Sequence, residues 1–311
     1  MPPVRSDARE PSSEIRLLEW AALVSEVGRN EAGCAPAIQP PDAEQLKALP
    51  QNVMRQYLDR LLLGRHPDEG LDALLEIGVL AIWLPEIAAM VGFGDGEWRH
   101  KDVWKHTKQV VWQSVRRLEV RWGALLHDIG KIATRTIDEK GNVHFFGHSE
   151  VGASMFRKRV ARRFGFDGFL YQRIHFLILH HLRASQYDGS WTDAAVRRFT
   201  RQMGEGLDDL LALSRADITT KRPEKRKQGL RQISALARRI EALAEADAAN
   251  VPSLPKGLGT AIMTEFQLPP SKHIGDIKLW VQEAVDRHEL EGGQKSEYYV
   301  AWLRRAHPEL S

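Results

Sequence analysis

The chain has 311 residues, 43% hydrophobic and 27% charged, and its 44 Lys+Arg against 41 Asp+Glu leave a net charge of +3. That composition excludes a disordered chain, a collagen-like repeat and a disulfide-stapled miniprotein. Charges break every long apolar stretch, so no membrane span is expected, residues 1–13 lack the apolar core of a secretory signal, and the single cysteine, Cys34, points to a reducing cytoplasm.

Apolar residues recur at helical spacing along the chain and predict an all-α fold. The first stripe is Leu17, Leu18, Trp20, Ala21, Val24 and Val27. Residues 29–41 (RNEAGCAPAIQPP) read as a linker, after which Asp42 caps a helix with Gln45 in the capping-box position. Val53, Tyr57, Leu58, Leu61 and Leu62 form the next stripe, and Val110, Val111, Ser114, Val115 and Leu118 predict a helix through position 118. Residues 142–146 are the one strand candidate. Leu207, Leu210, Leu211 and Ser214, then Ile233, Leu236, Ile240 and Leu243, return to helical spacing. Breaks at 250–259 (NVPSLPKGLG) and at Leu268-Pro269-Pro270-Ser271 set off a helical tail. The expected organisation is an extension with one helix and a linker (1–41), a helical neck or body-like segment (42–99), a central domain (100–249) and the tail (250–311); the same breaks also fit loops within one body. Arg157, Lys158, Arg159, Arg162 and Arg163 crowd one predicted helix, and eight basic residues face only Glu224 between 221 and 239. Each cluster is either a solvated helix face or a footprint for phosphates.

The stretch WGALLHDIGK, residues 122–131, ends an apolar helix in His127 and Asp128. An imidazole and a carboxylate buried together each require a partner, and a divalent cation serves both. Neighbours on a helix point about 100° apart, so both can reach one ion at its flank. His106 lies in DVWKHTKQVV, His148 follows a loop in FFGHSEVGA, His180 and His181 end FLILHH, and Asp217 closes LLALSRAD. A single His-Asp pair fits a structural ion pair; this succession of sites on consecutive helices points to a metal centre.

The order His106, His127-Asp128, Asp217 resembles the H…HD…D pattern of the HD superfamily of metal-dependent phosphohydrolases, and His148 and His181 match the added ligands of members that hold two metals. GLDALLEIGVLAIWLPE (70–86), HKDVWKHT (100–107), ALLHDIGK, FFGHSEVGA, HHLR and the tail IMTEFQLPPSKHIGDIKLWVQEAV resemble, more narrowly, the C-terminal part of bacterial CCA-adding enzymes that carry an HD domain. The likeness runs from about Leu46 to Leu303. It implies an HD-domain helical bundle with N-terminal and C-terminal helical extensions. It also implies a first metal held by His106, His127, Asp128 and Asp217, and a second by Asp128, His148 and His181, with His180 the alternative to its neighbour. Mixed imidazole and carboxylate ligands suit one or two ions of Mn, Fe, Co, Ni or Zn. The chemistry expected of such a centre is metal-assisted hydrolysis of a phosphoester.

Departures from the family narrow the expectation. Nothing before Leu46 is long enough for a nucleotidyltransferase head, and no Asp-x-Asp pair occurs, so CCA addition is not expected. Gly130-Lys131 is followed by Ile132, which excludes a Walker A motif, and the double histidine lacks the Gly-Tyr-Pro of cyclic-di-GMP phosphodiesterases. The Ile-Gly-Lys after the HD pair differs from the Glu-Asp of guanosine tetraphosphate hydrolases. A stand-alone HD phosphohydrolase is the expectation, acting on nucleotides or RNA ends, with 2′,3′-cyclic phosphates, 2′-phosphates and simple esters as the substrates the resemblance implies. Asp128 and Lys131 are the expected catalytic residues. Lys131 lies one helical turn past His127, Arg183 two residues past the histidine pair, and Lys221 four past Asp217 on the same helical face, so all three are candidates for the substrate phosphate. Trp98, Trp104 and Trp112 flank His106 and fit either the core or stacking on a base. Two other readings share these residues: a non-catalytic tRNA-binding remnant and a (deoxy)nucleotide phosphohydrolase.

Overall fold

The computed structural model describes residues 12–37, 42–93, 102–249 and 254–310. Trp98, the end of the linker and the start of the second break lie outside the described residues. Among those described, helix dominates, and no helix is long and apolar enough to cross a membrane. The one sheet pairs Thr136–Ile137 with Val143–His144 in antiparallel register, so the strand candidate at 142–146 shrinks to two residues.

Two compact units divide the chain, residues 1–240 and 241–311. The first joins three of the expected segments. Helix Ser13–Val27, with Ser12 Oγ accepting from the Ile15 N–H, buries Leu17, Leu18, Trp20, Ala21 and Val24 against helices Gln51–Leu62 and Pro67–Glu76. The approach is close enough to require glycine: a Cβ on Gly64 would stand 2.1 Å from Ser25 Oγ, and one on Gly70 2.6 Å from Ser25 Cβ. The N-terminal helix is thus part of this unit rather than an appendage. The linker begins with a helical turn, Arg29–Ala32, whose Arg29 pairs with Glu76. Asp42 caps helix Ala43–Ala48, although its Oδ1 accepts from the Glu44 N–H.

The periodicity that runs to Leu118 does not give one helix. Helix Val103–Gln113 stops at Ser114, whose backbone is extended, and a new helix, Leu118–Leu126, follows. The physical reason is Arg121. Its guanidinium is buried and donates from Nε and Nη2 to the Ser114 carbonyl at 3.1 and 3.0 Å, and from Nη1 to the carbonyls of Leu62 at 2.5 Å and Gly64 at 3.3 Å. The Ser114 carbonyl of the turn finds its donors there, and the same guanidinium serves the carbonyls at the end of helix Gln51–Leu62. Val115, counted as core in the stripe, is exposed.

Helix Leu118–Leu126 is the centre of this unit. Val120 through Leu126 are all buried, and helices Val103–Gln113, Gly168–His180 and Leu207–Ala216 pack around it. Gly123 admits the closest neighbour, since a Cβ there would lie 2.8 Å from Leu177 Cδ1. Trp122 Nε1 donates to Asp59 Oδ1 at 2.6 Å, which ties the helix to Gln51–Leu62. Helix His148–Met155 continues through a π turn, Phe156–Val160, into Ala161–Phe164. Arg163 of the basic cluster there is taken by Glu86 and the Trp83 carbonyl, whereas Arg157, Lys158, Arg159 and Arg162 are exposed. In helix Pro223–Ala249, Ile233 and Leu236 are buried.

The second unit has its own core. Leu258, Ile262, Ile277, Val281, Ala284, Tyr299 and Leu303 pack together from helices Leu258–Glu265, Lys272–Asp286 and Ser296–Ala306. The Pro-Pro break falls between the first two, as its composition predicts. Tyr299 closes the loop before its helix by donating its hydroxyl to the Glu291 carbonyl at 2.8 Å and accepting from the Gln294 N–H at 3.0 Å.

The Arg121 clamp yields a first prediction. Arg121→Met keeps the stem but leaves the carbonyls of Ser114, Leu62 and Gly64 without this donor, at a cost of about 3 kcal/mol in total. A lowered urea midpoint with unchanged slope is the expected result.

Candidate metal centre

The histidines and aspartates singled out above converge, and the ends of helices bring them together. His127 terminates Leu118–Leu126, His181 terminates Gly168–His180 and Asp217 terminates Leu207–Ala216. Carbonyl-rich helix C-termini carry partial negative charge and favour cations. His106 reaches the same point from the middle of Val103–Gln113, and His148 from the first residue of His148–Met155. That last helix can sit so near because residue 130 is glycine: a Cβ there would stand 2.0 Å from the His148 carbonyl oxygen and 2.7 Å from the Gly152 nitrogen.

Two groups result. His106, His127 and Asp217 form one, and Asp128, His148 and His181 the other, each with ligand atoms within 4.8 Å of one another. Asp128 joins them. Its Oδ2 lies 3.1 Å from His127 Nε2 and 3.5 Å from His106 Nε2, while its Oδ1 lies 3.5 Å from His148 Nε2 and 4.0 Å from His181 Nε2. Asp217 Oδ1 closes the first group at 3.0 Å from His106 Nε2.

Every ring is anchored through its other nitrogen. Nδ1 of His127 donates to the Ala124 carbonyl, that of His148 to the Phe145 carbonyl and that of His181 to the Ile178 carbonyl, each at 2.8 Å and each three residues back in the chain. His106 Nδ1 meets Thr219 Oγ1 at 2.8 Å. The three carbonyl bonds fix the tautomers of His127, His148 and His181 and turn their Nε2 lone pairs inward.

Charge separates the groups. Burial, the largest influence, pushes His181 down to about 4, and burial likewise lowers His148. Both rings are therefore neutral near pH 7, with their Nδ1 protons committed to carbonyls, yet their Nε2 atoms stand 3.1 Å apart. Two lone pairs at that distance repel unless a cation lies between them. In the first group burial pushes His127 down, but the Asp128 and Asp217 carboxylates outweigh it and raise its pKa. Burial raises Asp217, yet the His106 hydrogen bond and the neighbouring histidines bring it to about 2; Asp128, with His127, Lys131 and His106 around it, is held well below the carboxylate range despite its burial. Donor type, inward lone pairs and negative charge thus all fit a divalent ion, and either group could hold one.

Of the two adjacent histidines, His181 joins the centre. His180 instead packs its ring 4.8 Å from that of Phe176 and belongs to neither group. Lys131 Nζ donates to Asp128 Oδ2 at 2.7 Å, so its charge sits at the centre rather than in open solvent. Arg183 donates to Gln202 Oε1 at 2.9 Å on the surface. Lys221 does not share a helical face with Asp217, because helix Leu207–Ala216 ends at that residue and irregular chain follows; Lys221 is exposed. Trp104 is buried beneath Lys108, and Trp112 is half exposed. Sequence reasoning missed Thr219 and the three anchoring carbonyls. A histidine ending an apolar helix signals the carbonyl three residues back; nothing in the sequence marks the threonine.

Comparison with known proteins places an HD domain at residues 90–238. The A-adding tRNA nucleotidyltransferase of Deinococcus radiodurans is 32% identical over 271 residues, covering 83% of this chain and 61% of that protein. The CC-adding tRNA nucleotidyltransferase of Thermus thermophilus is 34% identical over 178 residues, 55% of this chain and 40% of that protein. The multifunctional CCA protein of Alkalilimnicola ehrlichii is 35% identical over 135 residues, 41% of this chain and 32% of that one. The matches thus span less than two thirds of each relative.

Gly130 gives the second prediction. Gly130→Ala drives a methyl group into backbone that cannot yield, and is expected to lower stability by about 2 kcal/mol. Gly275→Ala, in helix Lys272–Asp286 with nothing within 4 Å of the new Cβ, is the control. It is expected to be stabilising by about 0.5 kcal/mol. Denaturant midpoints of the two variants, moving in opposite directions, check both.

Proposed function

We propose, for this HD-superfamily chain related to CCA-adding tRNA nucleotidyltransferases, a metal-dependent phosphohydrolase that cleaves phosphoester bonds of nucleotides or RNA ends, 2′,3′-cyclic phosphates first among them. The observation that carries the reading is Asp128, buried between two groups of inward-turned imidazoles with one oxygen toward each. His106, His127, Asp128 and Asp217 would hold one divalent transition ion, and Asp128, His148 and His181 a second. When bound, such an ion neutralises phosphoryl charge and makes water a competent nucleophile near neutral pH.

The chain's own residues do the rest. The carbonyls of Ala124, Phe145 and Ile178 hold the imidazoles in one tautomer, so no reorganisation is needed when the donors are used. Lys131 offers its ammonium to a phosphoryl oxygen at the edge of the centre. Leu125, Leu126 and Ile129, fully buried, keep water from the inner side. The first group is the open one, with the side chains of His106 13% and Asp217 27% exposed against 1% for Asp128 and 2% for His181, so substrate approaches past His106 and Asp217. Arg183 and Lys221, both on the surface, would meet a longer substrate away from the scissile phosphate.

A second reading, binding of tRNA without hydrolysis, is favoured by the names of the relatives and by the exposed basic face of residues 221–231. Either activity accords with a protein of the cytoplasm.

One experiment separates the two. The purified protein is assayed on 2′,3′-cyclic AMP with Mn, Ni, Co, Zn or Mg, beside Asp128→Ala. Turnover dependent on a transition metal, falling roughly a thousandfold in the variant, is expected; no turnover with any metal in protein that still retains tRNA would replace this reading with the second. Bound Mn, counted by equilibrium dialysis, is expected to fall in His181→Ala and to match wild type in His180→Ala.

A further inference from the structure

Phe146 is the most exposed large apolar side chain among the described residues, at 76%. Its position is nonetheless fixed. The ring stacks on His144 with centroids 5.1 Å apart and planes 12° from parallel. His144 is held by Asp138, whose Oδ2 accepts from Nε2 at 3.0 Å. Asp138 also takes the backbone N–H groups of Lys140 at 2.9 Å and Asn142 at 2.8 Å, and the Asn142 amide at 3.0 Å. The Asn142 side chain foremost, and His144 after it, keep this carboxyl well below its usual range. The hairpin tip and the ring stack on it therefore form one preorganised piece.

That piece adjoins the metal centre. The Phe145 carbonyl anchors His148, and the Phe145 ring lies 5.6 Å from Lys131 Nζ, which is bonded to Asp128. Phe146 is two residues from His148, which limits their Cα separation to about 7 Å. Among the described residues, packing does not account for an apolar ring 76% exposed beside this centre.

We propose that Phe146, backed by His144, is the platform on which the base of a nucleotide stacks while its phosphate lies at the His/Asp centre. The inference rests on the phosphohydrolase reading and specifies its substrate class: nucleotides and RNA ends in preference to base-free phosphate esters. An aromatic face accepts any base, because every base has a π surface, and such stacking contributes about 1–3 kcal/mol per base. Phe146 selects substrate; it takes no part in bond cleavage.

The test uses binding as well as turnover. Equilibrium dialysis with Mn present, using AMP and ribose 5-phosphate as phosphonate analogues in which a methylene replaces the ester oxygen so that neither is consumed, gives the contribution of the base. Wild type is expected to prefer AMP by about tenfold, Phe146→Ala to lose that preference and Phe146→Trp to restore it. In turnover, the ratio of kcat/KM for 2′,3′-cyclic AMP to that for glycerol 1,2-cyclic phosphate is expected to fall about tenfold in Phe146→Ala, mainly through KM. No preference for AMP in wild type, or an equal preference in Phe146→Ala, overturns the platform whatever the activity. A preference that depends on Phe146 in a protein without turnover would leave the platform standing and remove the hydrolase reading.

Discussion

The structure turns on one buried carboxylate. Asp128 is 1% exposed, and a charge so placed is tolerable only if every neighbour compensates it. His127, His106 and the Lys131 ammonium do so, while His148 and His181 turn Nε2 toward its other oxygen, and these residues come from elements that the sequence separates widely. Helix Leu118–Leu126 is buried from Val120 to Leu126 and so carries Asp128 to the interior, and glycines must stand at 123 and 130 for its neighbours to close over it. Arg121 belongs to the same constraint. By gathering the carbonyls of Ser114, Leu62 and Gly64, it lets the chain turn sharply between the His106 helix and the His127 helix, so that the two rings meet at 3.3 Å between their Nε2 atoms.

The two groups differ in how they manage charge. In the first, burial pushes the His127 pKa down but the Asp128 and Asp217 carboxylates outweigh it, so negative charge dominates the group. In the second, burial strips His148 and His181 of theirs, and one oxygen of Asp128 is the sole anion among the ligand atoms. Both groups bring two Nε2 atoms face to face, at 3.3 Å in the first and 3.1 Å in the second, and the first is the more negative and, through Asp217, the more open.

Much of this was legible in the sequence. His127-Asp128, His181 and Asp217 each end an apolar helical run, and a charged or imidazole group at that position has nowhere to go but the interior. The order of the runs then places those ends together. What the sequence withheld has physical reasons. His180 and His181 are both compatible with an apolar helix end, and only the rotation of that helix, set by packing against Leu118–Leu126, decides between them. The run from Val110 to Leu118 keeps helical spacing across a real break, because Val115 imitates a core residue while Arg121, a charged one, makes the break possible. Lys221 was read onto the Asp217 helix, since no glycine or proline marks its end before Pro223. Phe146 passed without notice because apolar residues are presumed buried, and exposure is a property of the fold.

Phosphate chemistry at this centre faces an obstacle that its residues also resolve. A phosphoester approaching His106 and Asp217 meets two carboxylates and the negative ends of three helices, in an interior where charges are weakly screened. Lys131 alone cannot reverse that field while its ammonium is committed to Asp128. The same features that repel phosphate suit a divalent cation, whose charge, when bound, would turn the open group from a repulsive surface into an attractive one. For a phosphoester substrate, affinity would thus be coupled to cation binding by the site's own charge. The imidazoles, neutral donors for the most part, let that coupling operate without piling further negative charge onto the centre.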